Sequence, residues 1–500
     1  MWPGCAQTER SANYQIPPAP PFSASGELPV PDRWWVSFRD PMLNQQISVA
    51  LGQSFTLRAA RQRLRAARAI ARREASDFFP DVDGVLDVGY RFGPGRSLES
   101  YVWGLEAAYP VDLWGEIESR VEAQRLRAAA SQEDFRAVAL TLSAEITSVW
   151  LSLIESRAQL RLLDDQVETN QTGLDLQESR FGLGLIRSAD VLRQRQLVES
   201  TLEQEAIEKA RIEVLEHQLA VLLGMPPQEA TFELGMRLPE LPPLPQTGLP
   251  SQLIQRRPDV RRNFLAFQAA DRDLASAVSD QYPRFSLTGS LLNVADQPET
   301  LFRNWFVSLG GQLIAPLIDG GQRRAEVDRT SAVTRELFDR YAQSVLTAFQ
   351  EIEDGLAQER YQRERLGRLE AQLELAKQSL ERLREQYALE PDTDYLAVLT
   401  ATTGQQRLQR DVLAAQLELR LIRVSLYLAL AGGFDPNNTN QDPMILVEPE
   451  EERISADTPE MTRNDGRAAV KVDPESETIS EPKIDTPNEL GQLLRSLRYE

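Results

Sequence analysis

Two spans of the chain leave the helical hydrophobic period and alternate instead. Over 82–92, Val82, Leu86, Val88, Tyr90 and Phe92 fall on one face and Asp81, Asp83, Asp87 and Arg91 on the other. A period of two marks a half-buried strand. Gly93-Pro94-Gly95 supplies a turn, and Tyr101, Trp103, Leu105 and Tyr109 then alternate with Ser100, Gly104 and Glu106, which completes a β-hairpin with one apolar and one polar face. About 203 residues later the device recurs. Phe285, Leu287 and Leu291 alternate with Arg284, Ser286, Thr288 and Ser290, and after a loop at 295–303, Trp305, Val307, Leu309 and Leu313 alternate with Ser308 and Gln312.

Helical signals surround each hairpin. Asp40-Pro41 and Arg257-Pro258-Asp259 open a helix, since proline suits the first turn and aspartate the cap or the positive end of the dipole. Phe79-Pro80 and Tyr282-Pro283 end it. Beyond the hairpins, Gly-containing breaks at Leu113-Trp114-Gly115 and Ile318-Asp319-Gly320-Gly321 precede very long helices. Residues 116–181 contain no proline and a single glycine, Gly173, and would extend about 100 Å at the usual helical rise. Their counterpart is 322–389, where Leu366, Leu369, Leu373, Leu380 and Leu383 keep a heptad-like spacing suited to coiled-coil packing. Short turns, Phe181 to Ser188 and Tyr387 to Asp394, reverse each long helix, and the return helices run to Gly224 and to Ala431-Gly432-Gly433.

The organisation expected is an extended segment at 1–39, two similar halves at 40–247 and 248–433, and a tail at 434–500. The tail holds sixteen acidic against seven basic residues and is expected to be largely disordered. Within it only 488–498 has the spacing of a short amphipathic helix.

Composition narrows the function. The net charge of −20 argues against a nucleic-acid binder held by phosphate contacts. One histidine and one cysteine exclude an intramolecular disulfide and zinc sites built from several such residues. His217 sits in a helical run with Leu215, Leu219 and Leu222 and reads as a structural or solvated residue, so no enzyme and no cofactor is expected. Gly182-x-Gly184 follows no strand and lacks a third glycine, and Glu351 with Glu353-Asp354 reads as a solvated helix face. No run of eighteen apolar residues occurs, so no membrane-spanning helix is expected.

Composition alone favours two hairpins of a soluble sheet packed on helices, which would make the chain a coiled-coil interaction or scaffold protein. The charge on the polar faces, from Asp81, Asp83, Asp87, Arg91, Glu106 and Arg284, exceeds what a packed second face tolerates and suits a wet lumen. Four strands cannot close a barrel, and open sheet edges are not tolerated in lipid, so several chains would have to contribute strands. Strands of about ten residues match a tilted transmembrane strand.

Trp34-Trp35-Val-Ser-Phe-Arg-Asp-Pro-Met-Leu43, Tyr109-Pro-Val-Asp-Leu-Trp-Gly115, Arg256-Arg-Pro-Asp-Val260, Tyr282-Pro-Arg-Phe285 and Ala315-Pro-Leu-Ile-Asp-Gly-Gly321 occur in this order around the repeat. In that arrangement the chain resembles the TolC-like outer-membrane efflux factors, and within them the NodT-type lipoprotein subgroup, over about 30–433. The resemblance implies a mainly α fold with transmembrane β: four strands per chain in a trimeric twelve-stranded barrel, continued by the helices as a periplasmic α-barrel. It also implies a homotrimer in outer-membrane lipid, a periplasmic adaptor and an inner-membrane pump as partners, and passive export without chemistry.

Residue by residue, the resemblance places a lipid anchor, palmitate included, on Cys5. Met1-Trp-Pro-Gly leaves no room for the family's preceding hydrophobic segment, so the expectation is a late start or a trimmed signal. Gly184, Arg187, Ser188 and Asp190 match the first periplasmic turn and are expected at the aperture and adaptor contact, with Ser188 as a helix cap. In the second turn Glu390 stands where glycine is expected, and Asp392, Asp394, Tyr395 and Thr400 are the aperture candidates. Ala397 and Thr400 occupy the positions of the family's acidic gate, and neither is acidic. Tyr90, Phe92, Tyr101, Trp103, Phe285, Leu287, Trp305 and Val307 are the expected membrane-facing residues.

Overall fold

Each half of the chain builds the same sequence of elements. The first contains α1 (Pro41–Gln53), α2 (Phe55–Ala75), β1 (Asp81–Gly93), β2 (Arg96–Val111), α3 (Glu116–Gly182) and α4 (Ser188–Leu223). The second contains α5 (Pro250–Arg256), α6 (Pro258–Ser279), β3 (Arg284–Ala295), β4 (Trp305–Ile314), α7 (Gln322–Leu389) and α8 (Tyr395–Leu430). This computed structural model describes residues 20–93, 96–229, 232, 235, 237–389 and 395–430, all within a unit spanning Met1–Thr439. Cys5, Asp392, Asp394, the tail at 434–500 and the side chain of Phe92 lie outside the described residues.

The local signals act as physical chemistry requires. Asp40 caps α1, its Oδ1 accepting from the Met42 and Leu43 amides at 3.0 and 3.1 Å, while Oδ2 accepts from Trp150 Nε1 at 2.8 Å. Asp259 behaves differently: the N-cap of α6 makes no side-chain cap bond, and the Asp259 carboxylate instead takes both Arg257 Nε and Nη2, at 3.0 and 2.7 Å. Gly224 stops α4 in the left-handed region at φ 82. A Cβ there would lie 3.1 Å from the Gln53 carbonyl oxygen, so α4 ends against the junction of α1 and α2, where glycine is needed. In the second half, Arg257 Nη1 donates to the Ala429 carbonyl at 3.3 Å, which ties the end of α8 to the start of α6.

The long helices organise the rest. α3 packs against α2, α4, α6 and α8, and α7 packs against α6 and α8. At 67 and 68 residues, α3 and α7 each run about 100 Å. The main core gathers Trp34, Phe38, Leu43, Ile47, Phe135, Ile146, Trp150, Leu219 and Tyr427 where the short helices meet α3, α4 and α8. Trp34 stacks on Tyr427 with 5.6 Å between ring centroids. Although no apolar run is continuous, one eighteen-residue window of α3 is apolar enough by length and composition to cross a membrane. Two-thirds of that window, 67%, is buried in the protein.

A connector between the halves is clasped onto this core. Arg423, fully buried, donates Nε and Nη2 to Glu359 at 2.9 and 2.5 Å and Nη1 to the Pro242 and Pro243 carbonyls. Arg420 Nε donates to the Pro239 carbonyl at 2.7 Å. Residues 238–244 lie in no helix or strand, so these carbonyls have no backbone ladder to join and arginine forks supply the donors.

Candidate functional site

The four strands form one antiparallel sheet in the order β1-β2-β3-β4. Register decides the faces. Leu86 faces Trp103, Trp103 faces Asn293, and Asn293 faces Trp305; Val88 faces Tyr101, Tyr109 faces Leu287, Val111 faces Phe285, and Leu291 faces Val307. The expected membrane-facing residues with described side chains, Tyr90, Tyr101, Trp103, Phe285, Leu287, Trp305 and Val307, therefore share one face. Leu309, on the same face, is 89% exposed.

The opposite face carries Asp81, Asp83, Asp87, Glu106, Ser286, Thr288, Ser290, Ser308 and Gln312. It also carries Val294, Phe306 and Ile314, so it is less uniformly polar than the strand pattern suggests. Asp83 stands directly opposite Glu106. Like charges in that position destabilise a sheet, and a wet environment lessens the cost.

Neither β1 nor β4 has a partner on its outer edge among the described residues. A row of free N–H and C=O groups on a sheet with an exposed apolar face is stable in lipid only when another strand pairs with it. The helical layer repeats this logic: among the described residues no extended packing joins α7 to α2 or α4. On α4 the apolar Ile207, Val214 and Val221 are exposed at seven-residue spacing, and α7 exposes Leu346, Tyr361 and Leu375. One side of the chain thus ends in β1, α2 and α4, the other in β4 and α7.

At the tip farthest from the sheet, α3 turns into α4 through Gly184 at φ 74. Ser188 is not the cap expected of it: Arg187 occupies that position without a side-chain bond, and Ser188 is the first helical residue. Asp190 lies in the first turn and accepts from Arg193 Nη1 at 3.1 Å. Leu183, Leu185 and Leu192 leave this tip apolar and exposed. On α8, Thr400 is exposed and its hydroxyl bonds the Leu396 carbonyl at 2.8 Å. Tyr395 points inward, only 9% exposed, and donates to Gln194 Oε1 at 2.6 Å. Burial, then the neighbouring Tyr387 hydroxyl, pushes the Tyr395 phenol up to about 12.

Above Tyr395 runs a seam that sequence reading missed. Gln159, Gln166, Asn170 and Gln177 are buried on α3 among Leu163 and Leu174. Gln194 Nε2 donates to the Asn170 carbonyl at 2.6 Å, and Asn170 Nδ2 to Thr201 at 3.0 Å. Gln406 Nε2 donates to Asn170 Oδ1 at 2.9 Å, and Tyr387 to Gln177 Oε1 at 3.3 Å. The three-and-four spacing that these amides make together with Leu163 and Leu174 on α3 was the available signal, but nothing local distinguishes a buried glutamine from a solvated one. The seam joins α3 and α4 to α8 mainly through neutral groups, with Arg410 Nη1 adding one charged donor to Gln166 Oε1 at 2.6 Å.

The molecule is thus an open wall with an apolar band, a polar inner surface and a hydrogen-bonded tip. Among known proteins, the outer membrane efflux protein family matches residues 46–225 and 249–432. The pyoverdine export outer membrane protein OpmQ of Pseudomonas aeruginosa is 31% identical over 440 residues, 83% of this chain and 90% of OpmQ. The solvent efflux pump outer membrane protein SrpC of Pseudomonas putida is 29% identical over 79% of this chain and 86% of SrpC. The outer-membrane channel OprN superposes with a TM-score of 0.78 at 29% identity, covering 84% of this chain and 98% of OprN. CusC, at 23% identity and a TM-score of 0.77 over 84% of this chain and 99% of its own, shares the fold. The chain belongs to the outer membrane efflux protein family, a family of efflux channels, and is an outer-membrane exit duct.

Proposed function

We propose that three copies close the wall, β4 of each pairing with β1 of the next, to give a twelve-stranded barrel continued by α-helical walls through the periplasm. Lipid on Cys5 anchors the trimer. An inner-membrane pump supplies the energy and a periplasmic adaptor engages the tip at Gly184, Arg187, Ser188 and Asp190. Small organic molecules of the kind exported by the relatives cross by gated passive conduction, and the chain itself catalyses nothing. The aperture is formed by Asp392, Asp394 and Thr400 and braced by Tyr395. It opens when the two helical tips move apart.

The observation that carries this reading is the pair of free edges, β1 and β4, on a sheet whose outer face is apolar and exposed. Planar-bilayer conductance of detergent-purified protein, run beside its native mass, tests it. A conducting species of three chains is expected; a water-soluble species of another size without conductance would overturn it. Unchanged conductance and ion selectivity in Asp394→Ala trimers would remove that residue from the aperture.

A further inference from the structure

We propose that the duct has a second barrier, an apolar belt near the far end of the barrel lumen with Phe306 as its narrowest point, which resists hydrated ions and passes solutes that present an apolar body. The inference rests on the reading above that the polar face of the sheet lines a trimeric lumen. On that face one row of register partners carries no polar side chain across all four strands: Val85 stands opposite Gly104, Gly104 opposite Leu292, and Leu292 opposite Phe306. Val102 and Val294, themselves partners, extend the apolar surface one step toward the loops. The next row toward the helices is polar throughout, with Asp83, Glu106, Ser290 and Ser308, and the two serine hydroxyls are bonded at 2.7 Å. Packing does not explain the change. Phe306 is 59% exposed and Val294 39%, and no α-helix packs extensively on the sheet among the described residues. Apolar side chains left to water on an otherwise polar face cost free energy and return nothing to the fold, so their role lies with what crosses the lumen.

Leu292 lies eight residues beyond Arg284, where β3 leaves the helical layer. At about 3.3 Å per residue and a tilt of about 40°, the belt stands roughly 20 Å above that layer, at the opposite end of the chain from the helical tip. Twelve strands spaced about 4.8 Å apart at that tilt close at a backbone radius of roughly 12 Å. Serine side chains leave a passage roughly 16 Å wide, whereas a phenyl reaching about 6 Å inward from each of three copies narrows it to roughly 8 Å. A hydrated ion at that width meets ring surfaces and loses water that an apolar wall cannot replace, while an apolar body loses nothing; hydrophobic constrictions act by this dewetting. Asp83 and Glu106 on one side of the belt and Asp87 on the other make the ions that arrive there cations.

Access to thiols placed on either side of the belt tests this without crossing the helical aperture. Ser308→Cys reports from the helical side and Val294→Cys from the loop side. Trimers are inserted into preformed liposomes from outside, which sends the sheet end in first because the helices are polar and long. The hydrated cation (2-trimethylammonioethyl) methanethiosulfonate is sealed inside, a thiol scavenger is kept outside, and modification is read by mass spectrometry of the reporter peptide, so that Cys5 stays in place. Phe306→Gln, which keeps the reach but is polar, should speed modification of the Ser308→Cys reporter about tenfold, the scale set by pressing an ion against an apolar wall. Phe306→Met, its apolar match in size, should leave that rate within about twofold of the parent, and the Val294→Cys reporter should not respond to either. A change below about threefold in Phe306→Gln, or an equal rise in Phe306→Met, would overturn the belt. If Phe306→Gln does not assemble, Phe306→Ser takes its place. Leu309→Cys, on the opposite face, separates the two readings: if it is protected in lipid while the Ser308→Cys rate ignores Phe306, only the belt fails, and if it reacts as readily as Ser308→Cys, the barrel itself fails.

Discussion

In the proposed opening, the bond between Tyr395 and Gln194 adds to the cost of parting α8 from α4 at the tip. We predict that Tyr395→Phe shifts the duct toward the open state. The substitution keeps the ring against Tyr387, whose centroid lies 5.4 Å away, and removes only the hydroxyl donated at 2.6 Å. It deletes a neutral hydrogen bond of about 1 kcal/mol and leaves Gln194 Oε1 without its donor in a buried position, for a total of about 1.5 kcal/mol per chain. If three tips move together the sum is about 4.5 kcal/mol, roughly a thousandfold change in the open-to-closed ratio. Independent tips would give about tenfold each. Open probability in planar bilayers, with native mass as the control for assembly, reads the effect. An intact trimer whose open probability changes by less than about threefold would refute the latch.

Proton linkage gives a second check on the same residue. The folded phenol, at about 12, lies above its ordinary value of about 10, so its contribution is complete below pH 10 and is lost as pH rises through 12. The Tyr395 bond should therefore be independent of pH over the physiological range.

Three further outcomes are expected. Leu309→Arg, on the exposed apolar face, should destabilise the inserted barrel by about 2–4 kcal/mol, whereas Ser308→Arg on the opposite face should be tolerated; denaturant titration in lipid compares them. Arg423→Met should destabilise by about 1.5–3 kcal/mol, because buried Glu359 keeps only Arg363 as a partner and the Pro242 and Pro243 carbonyls lose their donor; the double variant with Glu359→Met should recover only part of the loss in thermal unfolding, since those carbonyls stay unpaired. Burial raises the carboxyl of Glu155 above its ordinary value, despite the Gln159 bond and nearby Arg211, while Glu208 on α4 adds to the rise. A carboxyl raised in the folded state contributes stability below its ordinary pKa and loses it as pH increases, so Glu155→Gln should raise the melting temperature at neutral pH and give little gain near pH 4.

The elements of the chain were legible because their signals are local. Alternation at 82–92 and 285–291 reflects a strand that wets one face, and the proline at Phe79-Pro80 or the glycine at Gly224 acts within one turn of where it stands. The motif order around the repeat was enough to suggest the family. Which strand ends up at the sheet's edge was not local. The β2–β3 ladder joins Tyr101 to Ala295 across nearly two hundred residues and, by filling the centre, leaves β1 and β4 as the free edges on which closure depends. The buried amides of α3, the arginine fork on the Pro242 and Pro243 carbonyls and the unpaired Asn293 amide have the same origin. A glutamine, arginine or asparagine has no preferred depth of its own, and its partners are chosen only when distant helices and strands enclose it.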